Sequence, residues 1–146
     1  MERQAADDGA EPRLGYLLKH AYLAYGEMSR TALEPHGVDG RDLAVLALIG
    51  RHDPMSQRDL ANLLSVDRTT MVGLVDGLER RSLVTRRPAP DDRRKNIVEL
   101  TASGRRTLKS AGKAADEVER RFLSALTAAD ARRFRAALHA LTRNPG

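Results

Sequence analysis

Three observations predict a mainly α fold carrying a small β-wing. Apolar residues recur at helical steps of three and four through most of the chain. Between residues 56 and 78 lie two short helical stretches, each opened by a capping residue and separated by a tight turn. Two β-like runs then follow, joined by a loop rich in Pro and Arg. Together they describe a winged helix-turn-helix with six helices per protomer. On this reading residues 1–11 are a disordered polar lead and residues 12–146 are one domain. Within it, residues 39–100 are the winged lobe, and residues 12–38 and 101–146 are helices that form a dimer frame.

The elements follow in order. From Pro12 onward, Leu14, Leu17, Leu18, Ala21, Tyr22, Tyr25 and Met28 share one helical stripe, which continues to Ala32 and Leu33 and ends before Pro35-His36-Gly37. Asp39, with Asp42 three residues on, opens a short helix over residues 43–49 that is apolar on most sides and should be buried in the middle of the fold. Residues 50–54 break the pattern and leave Met55 as a one-residue strand. Ser56 caps the third helix, with Asp59 in the capping-box position and Leu60, Ala61, Leu63 and Leu64 apolar.

Ser65-Val66-Asp67 is the turn. Asp67 caps the fourth helix, whose Met71, Leu74, Val75 and Leu78 face the core, leaving Arg68, Thr69, Thr70, Gly73, Asp76 and Gly77 to point outward or sideways. Residues 83–87 and 96–100 read as strands, and residues 88–95, barred from helix by Pro88 and Pro90, as the hairpin tip or wing. Thr101 caps a long helix carrying Leu108, Ala111, Ala115, Val118, Phe122 and Leu126. Thr127 with Asp130 opens the last, with Ala131, Phe134, Ala137, Leu138 and Leu141 apolar, and Pro145 ends it.

Composition narrows the function. The chain of 146 residues is long enough for a core without staples, and its zero cysteines exclude disulfides, thiolate chemistry and Cys-bound zinc. The four histidines lack metal-ligand spacing, so no metal and no cofactor is expected. Nothing resembles a signal peptide or a membrane span, so a cytoplasmic protein without a membrane partner is expected. Aromatic content of 3% without Trp disfavours single-stranded nucleic acid, which is gripped by stacking, and favours duplex.

The net charge is +5, and residues 80–95 alone hold seven Lys/Arg against two acids, so the positive field is local and sits where phosphates would be met. Double-stranded DNA is the partner this implies. In a helix-turn-helix the start of the second helix enters the major groove. There Arg68, Thr69 and Thr70 offer donors, acceptors and methyls to base edges, and Gly73 lets the backbone approach. Arg93 or Arg94 at the wing tip suits a narrow minor groove, with Asp92 orienting an Arg or capping the turn. Arg86, Arg87 and Lys95 read as phosphate clamps, and Ser56 and Gln57 at a helix start as further phosphate contacts. For each of these residues the bland alternative is a solvated charge or a satisfied helix start.

The terminal helices carry more apolar surface than one winged lobe covers, which predicts a homodimer reading a pseudo-palindromic site with half-sites about 34 Å apart. The alternative is a monomer whose terminal helices pair with each other. Enzyme activity has no support, since no phosphate loop, nucleophile motif, metal spacing or carboxylate pair is present. A winged-helix protein-interaction module without sequence-specific DNA binding is the remaining alternative.

With these residues in hand, the chain resembles the MarR (multiple antibiotic resistance regulator) family of winged-helix transcription regulators. Residues 60–72, 78–86 and 91–101 carry the resemblance, most specifically Asp91-Asp92-Arg93-Arg94 running into Val98-Glu99-Leu100-Thr101. Ser82 departs from the glycine usual before the first wing strand. The resemblance implies a triangular dimer joined by the first, fifth and sixth helices. It also implies repression relieved by a phenolic or anionic ligand held between the dimer frame and the winged lobe, with Arg93 as the minor-groove arginine, Asp92 as its orienting partner, and Thr69, Thr70 and Gly73 facing bases. At that crevice, a small-molecule inducer site is expected between helices 1 and 2 and the start of helix 5, using some of His20, Tyr25, Met28 and His36, where polar or soft side chains interrupt apolar faces; the bland alternative for each is a core or surface residue with satisfied hydrogen bonds. The family's peroxide sensors need a cysteine and its urate-responsive branch an N-terminal Trp, and this chain has neither.

Overall fold

A computed structural model describes residues 11–52 and 54–143. The chain runs α1 (Leu14–Leu33), a short 3-10 turn (Glu34–His36), α2 (Gly40–His52), β1 (Met55–Ser56), α3 (Gln57–Leu63), α4 (Arg68–Arg80), β2 (Val84–Pro88), β3 (Asn96–Leu100), α5 (Ala102–Phe122) and α6 (Ala128–Arg143). The three strands form one antiparallel sheet in the order β1-β3-β2, with Met55 opposite Val98 and Arg87 opposite Ile97. The polar lead lies outside the described residues apart from Glu11, and so does Pro145.

Capping places the helix starts. Asp39 Oδ1 accepts from Asp42 N–H at 2.9 Å while Asp42 Oδ2 accepts from Asp39 N–H at 3.0 Å, a reciprocal box that opens α2. Ser56, Asp67, Thr101 and Thr127 each accept from the backbone N–H three residues on, as their spacing predicts. Two expectations change. The break expected at Gly50 falls two residues later, because Gly50 lies against α5: a Cβ there would stand 2.6 Å from Leu108 Cδ2, so the helix continues and its missing side chain admits a neighbour. Met55 pairs as part of a two-residue strand rather than standing alone, which makes the wing sheet three-stranded.

The core gathers Leu33 from α1, Val45, Leu46 and Ile49 from α2, Leu60 from α3, Met71, Val75 and Leu78 from α4, and Val84, Val98 and Ala111 from the sheet and α5. Residues 43–49 are all buried or half-buried, as a helix apolar on most sides must be. α5 is seated tightly on the turn before β2. A Cβ at Gly104 would lie 2.0 Å from Leu83 O, a carbonyl that also accepts from Thr101 N–H. In contrast, α6 buries no residue, and Leu14, Leu17, Leu18 and Tyr22 of α1 stay exposed with Phe134 and Leu141 of α6. No helix among the described residues is long and apolar enough to cross a membrane.

Candidate nucleic-acid interface

The helix-turn-helix is built by two caps and one left-handed residue. α3 closes with Ser65 at φ 52° and a bond from Val66 N–H to Ala61 O at 3.0 Å, which turns the chain within four residues and tucks Val66 against the core. Asp67 then opens α4. Its carboxylate accepts from Thr70 N–H at 2.8 Å and from the Thr70 hydroxyl at 2.6 Å, and these bonds, the hydroxyl's first, hold the Asp67 carboxyl below the usual carboxylate range. Met71, Val75 and Leu78 point inward, with Leu74 only half-buried beside them.

What remains outward at the start of α4 is Arg68, Thr69 and, one turn on, Gly73, beside which an added Cβ would meet nothing. Thr70 is half-buried and its hydroxyl proton is committed to the cap, so the expectation that it donates to a base edge is corrected. Its methyl and free lone pair are what it retains for a base.

Between the starts of α3 and α4 and the wing lies a cleft of about 740 Å³, lined by Gln57, Arg58, Asn62, Arg68, Arg94 and Lys95 among others. Four cations, Arg58, Arg68, Arg94 and Lys95, stand around one cleft near the tip that exposes Arg93, and two of them, Arg94 and Lys95, belong to the basic stretch 80–95 counted in the sequence. Asp67 and Asp92 also line it, but each carboxylate accepts from a backbone N–H. Asp92 Oδ1 accepts from Arg94 N–H at 3.0 Å and Lys95 N–H donates to Asp92 O at 3.0 Å, so of its two expected roles the geometry gives it the turn cap rather than the arginine partner. Arg58 and Asn62 were missed by the sequence reading. The available signal was that both lie on the polar side of α3, two and six residues past Ser56 and so about one turn from each other.

The basic strand residues divide. Arg86 is not a free clamp: it is drawn inward and corrects that expectation. Its Nη1 donates to Asp76 Oδ1 at 2.6 Å and to Glu79 Oε1 at 3.4 Å, its Nη2 to Val72 O at 3.2 Å and its Nε to Gln57 Oε1 at 3.1 Å, leaving the side chain 17% exposed. One guanidinium therefore joins β2 to α4 and to the start of α3. Gln57 spends its carbonyl on the same arginine and keeps only its amide donors for a phosphate. Arg87 pairs with Glu99 at 2.6 Å, but both are substantially exposed, and such a pair is weak enough to exchange for a phosphate. The Ser56 hydroxyl serves as the α3 cap.

The four residues expected around a small ligand are not brought together. Tyr25 lines a mainly apolar cavity of about 510 Å³ between α1, the end of α5 and α6, with its ring edge-on to Phe122 at 5.3 Å. Burial first, then the nearby Glu119, push its phenol up from the usual value. His20 is exposed, stacked 3.9 Å from the Tyr16 ring and donating through Nδ1 to Tyr16 O; Met28 is half-buried on α1, and His36 sits in the 3-10 turn. This cavity lies at the end of α5 against α6, apart from the place between α1, α2 and the start of α5 expected for a ligand.

Comparison with known proteins fits this geometry. The sequence profile of the MarR family matches residues 36–95. The HTH-type transcriptional repressor NicR of Pseudomonas putida is 38% identical over 93 residues, covering 63% of this chain and 58% of NicR. A probable transcriptional regulator from Pseudomonas aeruginosa superposes with a TM-score of 0.83 at 29% identity, covering 88% of this chain and 96% of the other. CouR from Rhodococcus jostii, bound to p-coumaroyl-CoA, superposes with a TM-score of 0.77 at 29% identity, covering 96% and 95%. The matched regions span somewhat more than half the length of the curated relatives, 58%, 55% and 58% for three of them.

Proposed function

We propose that this chain, which belongs to the MarR family, is a dimeric, sequence-specific DNA-binding transcription regulator, a repressor released from a pseudo-palindromic operator by a phenolic or anionic ligand. The observation that carries the DNA reading is the joint placement of a capped recognition helix exposing Arg68, Thr69 and Gly73, a cation-rimmed cleft beside it, and Arg93 exposed on the wing tip. Arg68, Thr69 and Gly73 would face bases, with Thr70 through its methyl. Arg58, Arg87, Arg94 and Lys95 would hold phosphates, and Arg93 the minor groove.

Dimerisation is supported by the exposed Leu14, Leu17, Leu18 and Tyr22 of α1 and Phe134 and Leu141 of α6, more apolar surface than a soluble monomer usually leaves bare. Ligand release is supported by CouR, whose structure holds p-coumaroyl-CoA; the apolar cavity beside Tyr25 shares Leu18, Tyr22 and Phe134 with the face assigned to the second chain and is read as part of that face. The test is selection from a random duplex pool followed by gel shift over a salt series, with the molecular mass measured in solution. Enrichment of an inverted repeat bound by two chains, weakening steeply with salt, is expected. A protein that enriches no sequence would leave the winged lobe as a protein-docking module.

A further inference from the structure

Asp42 is the one buried charged residue among the described residues, 6% exposed, and the DNA interface does not use it. Its partner is Arg81, one residue past the end of α4, bound in a fork: Nη1 to Oδ2 at 3.0 Å and Nη2 to Oδ1 at 3.1 Å. The same guanidinium donates from Nε to Gly77 O at 2.9 Å, which braces it on its own helix, and from Nη1 to Gly37 O at 2.6 Å. Gly37 ends the 3-10 turn that extends α1, at φ 69°, and Asp42 is tied to Asp39 through the α2 capping box. One side chain from the end of the recognition helix thus holds the whole junction between α1 and α2.

We infer that Asp42 and Arg81 are positioning residues, a latch that sets the orientation of α4 against the α1–α2 junction and so the separation of two recognition helices in a dimer. The second half rests on the dimeric regulator proposed above. Asp42 is buried but the Arg81 side chain is 37% exposed, and a half-desolvated pair of this kind adds little net stability over apolar residues of the same volume, so stability is a poor account of why a charge sits here. What a planar fork supplies, and apolar contact does not, is direction: four bonds to three segments define an angle that packing alone leaves soft.

The chain has no cysteine, so nitroxide labels at Lys19→Cys on α1 and Thr69→Cys on α4, in protomers diluted with unlabelled chain, report the α1–α4 distance by pulsed dipolar spectroscopy. In the latched protein the distribution should be narrow. Asp42→Leu combined with Arg81→Met removes both charges without leaving one unpaired, and should broaden or shift it. Arg81→Lys, which keeps the charge and loses the fork, should do so in part and carries the test if the double variant does not fold.

Without labels, the wild type is used to select a duplex from a random pool, and that duplex is varied by single base pairs between half-sites. The wild type should bind best at one separation, and the double variant about tenfold more weakly there, with its preference flattened across neighbouring separations. An unchanged distance distribution in both variants overturns the latch, and a changed distribution with an unchanged separation profile overturns its role in spacing. If the wild type selects no duplex, or only single half-sites, the proposed function or its dimeric part fails instead, and the distance measurement alone decides the latch.

Discussion

Arg86→Met separates an internal anchor from a phosphate clamp. Methionine keeps most of the apolar stem packed, so the loss falls on the polar bonds. Asp76 and Glu79 are each 44% exposed and regain water when the guanidinium goes, which places their two pairs nearer surface bridges than buried ones, about 0.5–1 kcal/mol each. The bond to half-buried Gln57 adds about 1 kcal/mol, and Val72 O loses only a supplementary donor. The sum is roughly 2–3 kcal/mol. With a urea m-value of about 2 kcal/mol/M, that lowers the unfolding midpoint by roughly 1–1.5 M, measured at fixed protein concentration because a dimer's midpoint depends on it. DNA affinity should fall because α4 and the wing lose their shared anchor, while the slope of log affinity against log salt stays at the wild-type value. A clamp would behave oppositely, with near-normal stability and a slope reduced by about 0.9. That second pattern would falsify the inward assignment of Arg86.

Arg93→Ala should weaken operator binding and erase base preference in the flank it reaches, measured by repeating the duplex selection; an unchanged flank preference would reject minor-groove insertion. Ser82→Gly should raise the unfolding midpoint, because Ser82 sits at φ 59°, where a Cβ costs roughly 1–2 kcal/mol, and the added freedom of glycine in the unfolded chain returns about half of that. Gly104→Ala should destabilise by about 3 kcal/mol in the same melt, since the clash at 2.0 Å is with a backbone carbonyl that α5 can escape only by lifting off the turn before β2. Tyr25 should ionise late. Its raised folded value favours the neutral phenol, so the stability it contributes is complete below about pH 10, its unfolded value, and is lost as pH rises through the folded one. An alkaline absorbance titration should therefore contain a delayed phase that Tyr25→Phe removes.

The parts of the fold legible in advance were those that depend on neighbours three or four residues away. Asp39, Ser56, Asp67, Thr101 and Thr127 cap the helices their spacing predicts, and the stripe of Met71, Val75 and Leu78 is the buried face of α4. Gly50 misled because a glycine breaks a helix in isolation but not where Leu108 packs into the space it leaves. Ser65 misled nothing, since a short polar turn tolerates a left-handed residue. The expected ligand set dispersed because helical spacing says which residues share a face of α1, not which helix covers that face, and beside Tyr25 the third helix is α6.

Local chemistry, read along the chain, was enough for the fold class, the position of the recognition helix and the concentration of positive charge near the wing. Tertiary structure alone decided how those charges are used. Arg86 finds Gln57 at a separation of 29 residues, and Arg81 finds Asp42 and Gly37 at 39 and 44. Electrostatic pairing falls off over a few ångströms, and only the folded chain says which residues come that close. That distance dependence is why sequence could count the cations while the fold was needed to separate those turned inward from those left exposed.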